Sequence, residues 1–394
     1  MADGTQARPA ARPDTRPAMP PPPPQHEAPR RKVLLLGKLP PPYLGPAVAT
    51  EILLNSRLRE RYHLLHLDTN VHETLDTLGG LSLRKVWRNG GVYARYARLL
   101  RRERPDLVLV PISQSTIGFL KDSAFVLLSR LFGRPTLIQL RGSNLQNWLA
   151  GTSRPVRAYV EGVLRKAQGV VVLGDNLRPL FAPYFPDDRI HVVPNGADYR
   201  IPPRERRAGP VRVLHLANLQ PSKGIEDVVE GVAMLKARGV NGFVLDVVGK
   251  WRDARTEEAC RARVEADALP VTFHGPAYGA DKLAFMARAD AFVFTPREPE
   301  GHPWVIVEAL AAGLPVISTD QGAITESVLD GVNGFIVASH APEQIADRLQ
   351  RLIAEPSLRS RMAEASRRHY EANFTEERMV KRLSGAFDRL LQGS

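Results

Sequence analysis

Short, largely apolar runs recur along this chain, each followed by a stretch with helical periodicity. KVLLLG (32–37), YHLLHLD (62–68), PDLVLVPI (105–112), PTLIQLRG (135–142) and GVVVLG (169–174) are the first five. Such runs read as strands buried on both faces, the condition of a parallel sheet. Helical stretches such as LRKVWRNGGVYARYARLLRRER (83–104) and VRAYVEGVLRKA (156–167) separate them. Strand–helix alternation closes as a parallel sheet with helices on both faces. The Pro-, Gly- and charge-rich segment IHVVPNGADYRIPPRERRAGP (190–210) reads as a linker. The series then restarts with VRVLHLANL (211–219), FVLDVVGKW (243–251), VTFHGP (271–276), AFVFTP (291–296) and PVIST (315–319). The expected fold class is therefore α/β, with two successive Rossmann-like domains.

The domain expectation is a Pro- and Arg-rich tail over 1–31, disordered or polyproline in character, a first domain over 32–205 and a second over 206–372. A final helix over 373–394 is expected to cross back and pack on the first domain. The 394 residues suffice for two full cores. Neither half carries Gly-x-Gly-x-x-Gly after its first strand, which disfavours a nicotinamide dehydrogenase. The single cysteine, Cys260, rules out a disulfide framework and fits a reducing compartment. No apolar run reaches the length of a membrane span, and the N-terminus lacks the apolar core of a secretory signal. A cytoplasmic location is expected.

The formal net charge is +12. It points to a negative partner, or it reflects the Arg-rich usage of a GC-rich genome. Residues 84–104 concentrate it: Arg84, Lys85, Arg88, Arg95, Arg98, Arg101, Arg102 and Arg104, with Trp87, Tyr93 and Tyr96 interleaved. The stretch is either a peripheral contact with an anionic membrane surface or a solvated helix face. No RNA-binding signature accompanies it, which makes nucleic acid an unfavoured partner.

EPEGHPWVIVEALAAGLPVIS (298–318) carries two acids, Glu300 and Glu308. Pro303 suits a helix start, Gly313 a C-terminal cap, and Glu308 is the only charge between them. A helix apolar on all sides is buried, and a buried carboxylate needs donors. Those donors come from a core Arg or Lys, or from a ligand such as a ribose diol. Glu300 lies in the loop at the carboxyl end of a strand, where ligands of open α/β sheets bind. The backbone N–H groups of Gly301, His302 and Trp304, around Pro303, are free at the helix start and favour an anion.

PREPEGHPWVIVEALAAGLPVISTDQGAITESVLDGVNGFIV (296–337) closely resembles the donor-site region of family 4 glycosyltransferases, retaining enzymes of the GT-B fold. The ordered set Glu300, Glu308, Ala309, Gly313, Pro315, Val316, Gly322, Glu326, Asp330, Gly331 and Gly334 carries the resemblance. It implies a nucleoside diphosphate sugar as donor and a hydroxyl acceptor, in polysaccharide or lipid-linked glycan assembly. It further implies that Glu308 holds the ribose and Glu300 the transferred sugar. Lys223, in ANLQPSKG (217–224), holds the diphosphate by the resemblance; there Asn218 stands where the family carries arginine. The glycines and the histidine ending LDVVGK and VTFHGP, namely Gly249, His274 and Gly275, border the base by the same resemblance, or are simple turn residues. In the first domain Gly45 and the pair Arg141-Gly142 fall at the cleft, and Arg141 is a candidate for the charge missing at Asn218. The resemblance implies no cofactor, and the sequence has no Asp-x-Asp motif, so no metal is expected. The implied reaction is sugar transfer with retention, the leaving phosphate taking the acceptor proton. A GT-B epimerase or hydrolase of nucleotide-sugars, and a basic nucleic-acid-binding protein, are the alternatives.

Overall fold

The computed structural model describes residues 30–41, 43–69, 83–203 and 209–392, the side chains of 83–89 excepted. The tail reading falls, but for its last two residues, outside them. Residues from Arg31 onward form one compact unit.

Two six-stranded parallel sheets organise that unit. The first contains β1 (Lys32–Gly37), β2 (His63–Asp68), β3 (Leu107–Ile112), β4 (Thr136–Leu140), β5 (Gly169–Val172) and β6 (Ile190–Val192), in the order β2-β1-β3-β4-β5-β6. The second contains β7 (Val211–Leu216), β8 (Phe243–Val248), β9 (Val271–Phe273), β10 (Ala291–Phe294), β11 (Val316–Thr319) and β12 (Gly334–Val337), in the order β12-β11-β10-β7-β8-β9. Every pairing is parallel, as runs apolar on both faces require.

The two-residue period of a strand divides each sheet between two cores. Leu34, Leu36, Val108, Val110, Ile138 and Leu140 join the helices on one face of the first sheet. Val33, Leu35, Leu107, Leu109, Leu137 and Val171 join the other core. That second core is completed by Met379, Val380, Leu383, Ala386 and Phe387 of the last helix, Glu376–Gln392. The last helix therefore crosses back to the first sheet, as expected.

The structure corrects one local reading and adds detail at two further segments. Ile190–Val192, read as linker, is the edge strand β6, and Gly334–Val337 is the edge strand β12. Both are too short to show a period, and only their parallel partners define them. The C-terminal helical stretch is two helices, Pro356–Asn373 and Glu376–Gln392. Thr375 Oγ1 accepts from the Arg378 N–H at 3.3 Å and starts the second. Among the described residues no helix is long and apolar enough to cross a membrane.

The basic stretch forms the helix Leu83–Glu103. Arg84, Lys85, Trp87 and Arg88 lie outside the described side chains. Tyr96 is fully buried against Phe125 and Tyr93 donates its hydroxyl to the Lys121 carbonyl at 3.0 Å. The tyrosines belong to the core side, whereas Arg95, Arg98, Arg101 and Arg102 are exposed.

Candidate active site

Strand order reverses between β7 and β10 in the second sheet and between β1 and β3 in the first. Crevices open at the carboxyl ends of strands at such points. Lys223 follows β7 and Glu300 follows β10, so the second reversal brings them together.

The loop after β7 ends in a short turn, Pro221–Lys223, and Gly224 at φ 76°. A Cβ on Gly224 would lie 1.9 Å from the Thr295 carbonyl oxygen, so only glycine lets this turn rest on the end of β10. Arg297 holds the β10 loop from the other side. Its guanidinium donates to both oxygens of Asp227, at 2.8 and 2.7 Å, and also pairs with Glu226. Between these anchors Lys223 Nζ is paired with Glu300 Oε1, both partly buried.

Glu308 lies one helix deeper, in Trp304–Ala311, with 2% of its surface exposed. The sequence left its donors open between protein and ligand. The structure supplies one: Lys282 Nζ donates to Oε1 at 2.5 Å from the helix Gly279–Arg288. Oε2 is buried without a partner among the described residues. Burial raises the Glu308 pKa, and Lys282 opposes that shift. Lys282 was missed in the sequence because its helix carries no family motif and no unbroken apolar period.

His302 is 3% exposed. Its Nδ1 accepts from the Asn195 N–H at 3.0 Å, its carbonyl accepts from Asn195 Nδ2 at 2.6 Å, and Nε2 lies 2.6 Å from Ser327 Oγ. Burial lowers its pKa to about 3, so the ring is neutral and Nε2–H donates to Ser327. The side chain thus ties the site loop to the crossover segment. The N–H groups of Gly301, His302 and Trp304 meet no backbone or side-chain acceptor among the described residues.

The first lobe closes on this loop. Gly301 packs against the Arg141 carbonyl, and Gly45 faces Trp304, whose Cδ1 would stand 3.8 Å from a Cβ there. Arg141 donates to the Pro46 carbonyl, to Thr50 Oγ1 at 3.1 Å and to Gln139 Oε1 at 3.0 Å. None of these partners is a carboxylate, and burial lowers its pKa to about 10. Gly142 is covered by the Gln114 side chain.

Asn218 Oδ1 accepts from Arg252 Nε at 3.4 Å. A guanidinium from the loop after β8 thus stands beside the position that lacks the family arginine. Gly249 is closed on its Cβ side: a Cβ there would sit 1.8 Å from the Ala217 carbonyl oxygen. Gly275 does face open space, at φ 75°. His274 bonds Asp246 Oδ1 at 2.7 Å, and Arg212 holds the same carboxylate through two bonds. His274 also lines a surface pocket with Tyr278, Asp281, Phe285 and Arg288, but Lys282 does not.

The sequence profile of the family "Glycosyl transferases group 1" matches residues 201–369. Among curated proteins, the chain is 28% identical over 238 residues to a glycogen synthase of Mycobacterium tuberculosis, covering 58% of this chain and 56% of that protein. It is 28% identical over 264 residues to a D-inositol 3-phosphate glycosyltransferase of Arthrobacter, covering 61% and 62%. The chain thus spans less than two thirds of the length of these relatives. Among solved structures, sucrose-phosphate synthase from Thermosynechococcus elongatus superposes with a TM-score of 0.73 at 16% identity, covering 93% of this chain and all of that one. Anabaena HepE in complex with UDP-glucose gives 0.70 at 18% identity, covering 91% and 99%. At such identity the likeness is one of fold, and the fold is the two-domain GT-B arrangement. The stretch similar to glycosyl transferases group 1 is thus the second lobe, residues 201–369.

Proposed function

We propose that the chain is a retaining glycosyltransferase of family 4 that moves a sugar from a nucleoside diphosphate to a hydroxyl acceptor. One observation carries this reading: Lys223 and Glu300 pair at the strand-order reversal, and Glu308, in the helix that follows Glu300, is buried with one oxygen unpartnered among the described residues. A buried acceptor without a donor fits a ligand hydroxyl.

In this reading Glu308 accepts from the ribose hydroxyls, and Glu300 from the sugar. Lys223 leaves Glu300 for the diphosphate, with the N–H groups of Gly301, His302 and Trp304 beside it. Arg252, next to Asn218, and Arg141 add positive charge, so no metal ion or cofactor is assigned. Gly275 lies where the base enters, and Gly45 and Gly142 border the acceptor side. The bond from the sugar to the diphosphate breaks and the bond to the acceptor oxygen forms on the same face. The acceptor proton passes to the leaving phosphate. The structural neighbour HepE, solved in complex with UDP-glucose, supports a nucleotide-sugar donor.

The acceptor is proposed to be a glycan or a lipid-linked one. The exposed Arg95, Arg98, Arg101 and Arg102 would then meet anionic lipid at the cytoplasmic face of a membrane. Flotation with anionic and neutral liposomes tests the contact; binding indifferent to lipid charge removes it.

A thermal-shift screen of nucleoside diphosphates tests the donor, with one base expected to raise the melting temperature selectively. Product analysis with that donor then tests the reaction. A glycoside of retained configuration, formed only with acceptor, is expected; an epimerised sugar or free sugar as sole product would overturn it.

A further inference from the structure

Glu308 has a counter-ion unlike the other buried acids of the second lobe. Asp227 and Asp246 are each held by an arginine through both oxygens. Such a fork fixes the geometry of a carboxylate through both oxygens. Glu308 is more buried than either, at 2% exposure against 6% and 5%, yet it is paired with a lysine through one oxygen. Its second oxygen has no partner among the described residues. The Lys282 side chain is 25% exposed, and among the described residues its ion-pair partner is Glu308 alone. It is a point charge on a flexible four-carbon stem, free to pivot in a way that a fork is not.

We propose that Lys282 is an exchangeable counter-ion, making the site select a diol that carries a phosphate over the same diol without one. The proposal rests on Glu308 binding a ribose diol. A diol needs both carboxylate oxygens, and Oε1 is occupied by the ammonium. One incoming hydroxyl finds Oε2 open, and the second competes with Lys282 for Oε1. A bare nucleoside leaves the ammonium without an anion. A nucleotide supplies one on the same ligand, and Lys282 moves from carboxylate to phosphate. Lys282 is thus a specificity-determining residue, neutralising Glu308 in the empty site and the phosphate in the filled one.

Calorimetric titration of the full chain with uridine, adenosine and guanosine and their diphosphates tests this. The readout is the affinity ratio of diphosphate to nucleoside for the base that binds. Lys282→Met is expected to weaken the diphosphate about tenfold or more, and to leave the nucleoside unchanged or tighter. Lys282→Arg is expected to weaken both, because a fork occupies both oxygens of Glu308. An unchanged ratio in Lys282→Met overturns the proposal. Should that variant fold poorly, Lys282→Met is compared in the Glu308→Gln background, where the buried charge is gone; the ratio must still fall relative to Glu308→Gln alone. Nucleoside affinity unaltered by Glu308→Gln refutes the diol reading itself, whatever Lys282 does.

Discussion

Gly301 lies against the backbone of Arg141 so closely that a Cβ on it would stand 2.2 Å from the Arg141 carbonyl oxygen. The contact joins the two lobes at the loop that bears Glu300. Leu173 Cδ1, 2.9 Å from the same point, closes the other exit. A methyl group there must displace backbone, either the loop or the lobe it touches. Gly301→Ala is expected to lower transferase kcat/KM about a hundredfold, the cost of a misplacement of about 1 Å near reacting groups. Circular dichroism should stay unchanged. Wild-type kinetics in this variant would mean that the working enzyme does not hold the two lobes in this contact.

Glu308→Gln keeps the shape of the side chain and removes its charge. Each charge-assisted bond to a ribose hydroxyl contributes about 1.5–3 kcal/mol. Donor affinity is therefore expected to fall at least tenfold, while deoxyribose analogues, which lack one hydroxyl, should lose less. Titration of the ribo and 2′-deoxy diphosphates against both proteins measures the difference. Equal losses for the two would detach Glu308 from the diol.

Among the described residues the partners of Arg141 at the junction of the lobes are all neutral. A cation so placed is available to an anion without first breaking an ion pair. Arg141→Ala should weaken diphosphate binding about tenfold. Arg141→Lys should recover part of it, since the charge stays and the fork is lost. Unchanged affinity in both variants would leave Arg141 with the structural task of holding Pro46 and Thr50.

What the sequence displayed and what it hid follow from the range of each interaction. Short apolar strands with helices between them declare a doubly wound sheet locally, and the motif around Glu300 and Glu308 is contiguous. Edge strands β6 and β12, of three and four residues, exist only through their partners. Gly249 looked like a ligand-facing glycine, yet its role is to let Ala217 approach, a contact 32 residues away in the chain. Lys282 and Arg252 are ordinary surface residues by sequence. Only the sheet order brings them to Glu308 and Asn218. His302 was legible as a loop residue, but not as a clamp on Asn195, because that partner lies 107 positions earlier.

Three buried histidines predict an acid-sensitive fold. Burial lowers His191 and His215 to about 4 and His302 to about 3. In the unfolded chain each titrates near 6.5. Between about pH 6.5 and 4 the unfolded state therefore binds protons that the folded state refuses. Stability is fully present above pH 6.5 and declines as pH falls through that window, by up to about 1.4 kcal/mol per pH unit for each histidine. Asp122, Glu308 and Glu326 are raised by burial and act in the opposite sense, offsetting part of the slope. Urea unfolding at pH 7.5, 6.0 and 5.0 should show a midpoint that falls at each step. His215→Gln, which can still donate to the Val293 carbonyl that His215 Nδ1 bonds at 3.0 Å, should flatten the decline. A midpoint that is flat or rises toward pH 5 would show that these histidines take up protons inside the fold.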